Sequence, residues 1–66
     1  MNKLSYRAPA LDKGLDIVEL LAVSTVGLTQ AQIASHLKKS VNEIYRMLNT
    51  LKERGYLEFN EVTDQY

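Results

Sequence analysis

Apolar residues recur along this chain at helical spacing in three separate runs. Over residues 10–23, Leu11, Leu15, Val18 and Ala22 fall at i, i+4, i+7 and i+11, Ile17 and Leu21 widen the stripe, and Asp12, Asp16 and Glu19 lie off it. That is the period of a helix with one face toward a core, and Leu11, Leu15, Val18 and Ala22 are the face expected to be buried. Residues 29–38 repeat the pattern with Ile33, Ala34 and Leu37, and residues 41–54 with Val41, Ile44, Tyr45, Leu48 and Leu51. The last two runs each open on a helix-start tetrad, Thr29-Gln30-Ala31-Gln32 and Ser40-Val41-Asn42-Glu43. In each, the hydroxyl can accept from the backbone N–H three residues on while the Gln or Glu side chain reaches back to the cap, a capping box. Because the tetrads begin only eleven residues apart, two short helices must meet across a tight turn, which makes a helix-turn-helix.

The residues between and after the helices complete the architecture. Pro9 suits the start of the first helix, since its ring fixes φ and it lacks an N–H that would go unused there. Residues 1–9 are accordingly expected to form a flexible arm and residues 10–66 the folded domain. Residues 24–28 combine β-branched side chains with Gly27, leaving room for a short edge strand. Gly55 supplies the left-handed residue that ends a helix. Beyond it, Tyr56-Leu57-Glu58-Phe59-Asn60 is rich in strand formers, residues 60–64 have turn chemistry, and Gln65-Tyr66 begin a returning strand. The expected fold is mainly α with a small β-hairpin, a three-helix winged helix-turn-helix.

Composition narrows the function. Sixty-six residues without cysteine make one small domain with no disulfide framework and no thiolate metal site. No apolar run reaches the length of a membrane span or resembles a secretory leader, so a cytoplasmic setting is expected, without membrane contact. One histidine and no clustered carboxylates offer neither a nucleophile–base pair nor a metal site. An enzyme is not expected, nor a cofactor, nor a small-molecule site in this stretch of chain. Eight basic residues balance eight acidic ones, which argues against indiscriminate coating of phosphate. The charges are nonetheless segregated: residues 36–54 hold Lys38, Lys39, Arg46, Lys52 and Arg54 against Glu43 and Glu53.

The third helix carries the chemistry of interest. Its inward positions leave Asn42, Glu43, Arg46, Met47, Asn49, Thr50 and Glu53 on the opposite arc, with Arg46 near the centre. Arginine bonds guanine O6 and N7 in bidentate fashion, asparagine does the same with adenine, and glutamate accepts from cytosine. The N-terminal residues of such a helix enter the major groove, so Asn42, Glu43 and Arg46 are the candidates for bases, with Asn49 behind them. Ser40, Thr50 and Thr29 are placed for phosphates through hydroxyls and helix N-terminal amides, and Lys38 and Lys39 in the turn for the phosphate backbone. Glu43 has a second role in view, as the closing residue of the Ser40 capping box. Lys52 and Arg54 complement the dipole at the helix end without any ligand. Glu61 and Asp64 weigh against a wing that touches phosphate, and Lys3 and Arg7 of the arm are weak candidates for a minor groove.

In order and spacing the residues resemble the IclR-type bacterial transcriptional regulators over nearly the whole chain. The resemblance lies in Ala8-Pro9-Ala10-Leu11-Asp12-Lys13-Gly14-Leu15-Asp16-Ile17, Glu19-Leu20-Leu21, Gly27-Leu28-Thr29, Ile33-Ala34, Tyr45-Arg46-Met47-Leu48 and Arg54-Gly55-Tyr56-Leu57. It implies a winged helix-turn-helix that binds palindromic double-stranded operator DNA as a dimer or dimer of dimers, with a separate C-terminal domain sensing a metabolite. This chain is then expected to be the DNA-reading domain without the effector domain. Many members have Lys-Ser-Thr where this chain has Val41-Asn42-Glu43, so a hydroxyl contact there does not carry over.

The first helix, with Leu20, Leu21 and Val18 partly left over, is the expected homodimer surface. The competing function is a winged-helix interaction or dimerisation module that leaves DNA alone, which the zero net charge favours.

Overall fold

The computed structural model describes residues 8–66, so the expectations for Lys3, Arg7 and most of the arm fall outside the described residues. Three helices follow in order, α1 (Pro9–Val23), α2 (Gln30–Leu37) and α3 (Val41–Glu53). Pro9 is the first residue of α1, where the missing donor costs nothing.

The core is the meeting point of the three helices. Ile17 of α1, Ile33 and Ala34 of α2, and Ile44 and Leu48 of α3 are buried together with Leu28 from the α1–α2 connection. Leu20, Leu21, Leu37, Met47 and Leu51 pack around them, and Leu57 and Tyr66 bring the C-terminal segment onto the same cluster. The face of α1 that is buried differs from the one its periodicity favours. Leu11 is 63% exposed, Leu15 45%, and Ala22 is also exposed, whereas Ile17 is fully buried. α1 carries more apolar arc than α2 and α3 can cover, and the helix is rotated so that Ile17, Leu20 and Leu21 face them. On α3, Val41 and Tyr45 are likewise exposed, at 44% and 52%, because Ile44, Leu48 and Leu51 form the narrower stripe that reaches the core.

The turn of the helix-turn-helix is three residues long, and its shape comes from Lys38, whose φ of 56° and ψ of 44° are left-handed. Its N–H donates to the Ser35 carbonyl and that of Lys39 to the Ala34 carbonyl, the pair of bonds that closes a helix in a Schellman motif. The same motif ends α3. Gly55, with φ of 86°, donates to Lys52, and Tyr56 donates to Leu51 at 2.8 Å.

The C-terminal segment forms no strand among the described residues. It makes isolated antiparallel bridges, Thr29 with Gln65 and Asn60 with Gln65. Leu28 and Tyr66 also exchange both backbone bonds, at 3.3 and 2.8 Å. The expected edge strand over residues 24–28 is thus reduced to the pairing at Leu28 and Thr29, since Ser24 continues from α1 by donating to Leu20 and turns the chain with its hydroxyl on Val26. The turn expected after Asn60 is formed: its side-chain oxygen accepts from the N–H groups of Val62 and Thr63.

Candidate nucleic-acid interface

Two helix starts meet at the helix-turn-helix, and they are built differently. At α2 the capping box is complete: Thr29 Oγ1 accepts from the Gln32 N–H at 3.2 Å and Gln32 Oε1 accepts from the Thr29 N–H at 2.9 Å. At α3, Ser40 Oγ accepts from the Glu43 N–H at 3.1 Å, but the return bond expected from Glu43 is not closed. The Glu43 carboxylate lies against Lys13 of α1, with Nζ to Oε2 at 2.7 Å. The Lys13 ammonium holds that carboxyl below its ordinary range, with smaller contributions from the Ser40 N–H and Lys39. A cation outcompetes a neutral amide for a carboxylate, so Glu43 pairs chiefly with Lys13 while the Ser40 N–H contributes the weaker share.

The remaining candidates sort by position. Asn42, Arg46 and Glu53 are exposed on α3 away from the core, and Asn49 is half-buried. Among the described residues the Arg46 guanidinium has no ion pair or hydrogen-bond partner. Lys38 is exposed in the turn, Lys39 half-buried, and Ser40 exposed at the start of α3. Thr29 is half-buried with its hydroxyl already used as the α2 cap. Thr50 lies on the other flank of α3, lining a groove with α1. Met47 lines the same groove and packs on the core. Lys52 is turned away, its ammonium 5.3 Å from the Phe59 ring centre, and Phe59 packs on Tyr66 with the two rings tilted by 48°.

Two residues of this surface were not among the sequence candidates. Tyr45, counted inward on periodicity, is exposed on the flank of α3 near Tyr66, whose phenol is pushed up chiefly by burial. Lys13 was hidden by its distance in sequence; the only available signal was its place four residues before Ile17, on the same helix face.

The groove between α1 and the end of α3 has a volume of about 430 Å³ and is lined by Leu11, Leu15, Val18, Met47, Leu51 and Tyr56 among others. No described helix is long and apolar enough to cross a membrane.

Comparison with known proteins shows the family. The profile described as the IclR helix-turn-helix domain matches residues 10–61. The chain is 42% identical over 57 residues to the HTH-type transcriptional regulator BhcR of Paracoccus denitrificans (strain Pd 1222), a match covering 86% of this chain and 20% of that protein. This chain therefore spans about a fifth of the relative's length. No solved structure matches.

Proposed function

The chain belongs to the IclR helix-turn-helix domain family, whose work is DNA binding in transcriptional regulation, and we propose that it reads operator DNA with α3 in the major groove, as one half of a homodimer. The observation that carries this is the outer face of α3, where Arg46, without a partner among the described residues, sits between Asn42 and Asn49 on a helix pinned at both ends. Arg46 is the base reader, bidentate to guanine, and Asn42 and Asn49 are suited to adenine. Lys38, Lys39 and Ser40 in and beside the turn hold the phosphate backbone, with Thr29 and Thr50 more peripheral. Glu43 is committed to Lys13 in the free domain, so base reading rests on its neighbours. The bridged segment after Asn60 acts as a small wing, and Glu61 and Asp64 at its tip keep it off the phosphates. The domain binds rather than catalyses, uses no cofactor, and works in the cytoplasm, where the operator is.

The homodimer forms through helix one, on a surface other than Leu20 and Leu21, which pack on the core. Leu11 and Leu15 stay exposed beside Tyr56, itself 65% exposed, along the α1–α3 groove. A second copy is the fitting occupant. The exposed Asp16 and Glu19 on α1 and the exposed Arg54 after α3 offer opposite charges to a second copy related by a two-fold axis.

The test is a duplex selected by the chain from a random pool, followed by Arg46→Ala. Preference for the selected site over scrambled duplex is expected to disappear while the melting midpoint stays within a degree or two, as for an exposed side chain. Retained preference removes Arg46 from base reading, and loss of folding makes it structural.

A further inference from the structure

An acid at the third position of α3 creates a conflict. A carboxylate in the first turn favours the helix start through the dipole. The same carboxylate lies three residues before Arg46, and acid–base pairs at i, i+3 on a helix are neighbours that attract. Left to itself, Glu43 competes with DNA for the guanidinium and presents a negative charge where phosphate must approach.

The structure resolves the conflict from outside the recognition helix. Glu43 is turned to Lys13 at 2.7 Å, and Arg46 is left without a partner among the described residues. Lys13 stands one turn before Ile17, the fully buried anchor of α1, so core packing fixes where its stem begins. Both side chains of the pair are about one-third exposed, at 33% and 34%, close enough to solvent to respond to DNA. We propose that Lys13 is a positioning residue for DNA recognition, holding the Glu43 carboxylate away from the Arg46 guanidinium and from the phosphate backbone. α1, which reads no base, thereby sets how freely Arg46 reads one. This rests on the assignment of α3 to the major groove.

A double-mutant cycle tests it, with affinity measured by fluorescence anisotropy on the duplex selected by the wild-type chain, and melting and Arg46 side-chain Nε–H NMR shifts recorded alongside. Lys13→Met is expected to weaken binding roughly tenfold, equivalent to about 1.4 kcal/mol, and to shift the Arg46 Nε–H signal as Glu43 swings to it. Glu43→Gln alone changes affinity little, because its charge is already neutralised. The double variant recovers most of the lost affinity and the original Arg46 signal, and Lys13→Arg retains wild-type binding. Melting midpoints move little throughout, as for an exposed ion pair. Equal effects of Glu43→Gln with and without Lys13, or an unmoved Arg46 signal in Lys13→Met, overturn the proposal and leave Lys13 a plain phosphate contact. If the wild-type chain enriches no duplex, the assignment of α3 fails first, a result distinct from either.

Discussion

Lys38 holds a backbone conformation that costs an L-residue roughly 1–2 kcal/mol, at the one place where the chain must reverse between α2 and α3. Glycine adopts it without that cost. Lys38→Gly is expected to raise stability by about 1 kcal/mol, a gain of roughly 4–8 °C in the melting midpoint for a domain this size. The same change lowers DNA affinity and reduces the slope of log affinity against log salt by about 0.9, the share of one phosphate. Melting and a salt titration read the two effects separately, and an unchanged slope would free Lys38 from phosphate contact. Glu43 is legible in the sequence as a capping acid and not as the partner of Lys13, since thirty residues separate them and only the packing of α1 on α3 brings them together.

At the level of elements, the connection before α2 and the chain's last residues depend on one another. A Cβ on Gly27 would lie 2.9 Å from both Cβ and Oε1 of Gln65, closer than such atoms approach without something moving. Gly27→Ala is therefore expected to push the returning segment off α2 and weaken the paired bonds between Leu28 and Tyr66. Crowding of this kind typically costs about 1–3 kcal/mol. Hydrogen exchange is the measurement: protection is lost at the Leu28 and Tyr66 amides first, while the Leu48 amide in α3 follows only the fall in global stability. Equal loss everywhere would show that the segment is no separate unit. The helices and their boundaries were readable because periodicity and caps act within a few residues. The hairpin was less so, because strand formers in residues 56–60 show capacity to pair, and the pairing made is a matter of where Leu28 lies.

For the whole molecule, the proposed dimer surface is the apolar groove along α1, and occupying it would turn a domain that binds one half-site into one that binds a palindrome. Leu15→Gln removes an exposed apolar side chain without changing charge. It is expected to leave melting and half-site binding nearly unchanged while lowering affinity for a palindrome with half-sites about 34 Å apart, where the second copy adds effective concentration. Equal binding of palindrome and half-site by both proteins would place the dimer contact elsewhere. The sequence by itself determined the three helices, the tight turn, the glycine stop and the polar face of α3, all set by local periodicity, capping and backbone preference. Which apolar stripe of α1 is core and which stays exposed, that Tyr45 is outside, and that Glu43 answers to Lys13 were decided only by the tertiary structure. Apolar residues share one signature whether they face a core or a second chain, and an ion pair across helices has no local pattern at all.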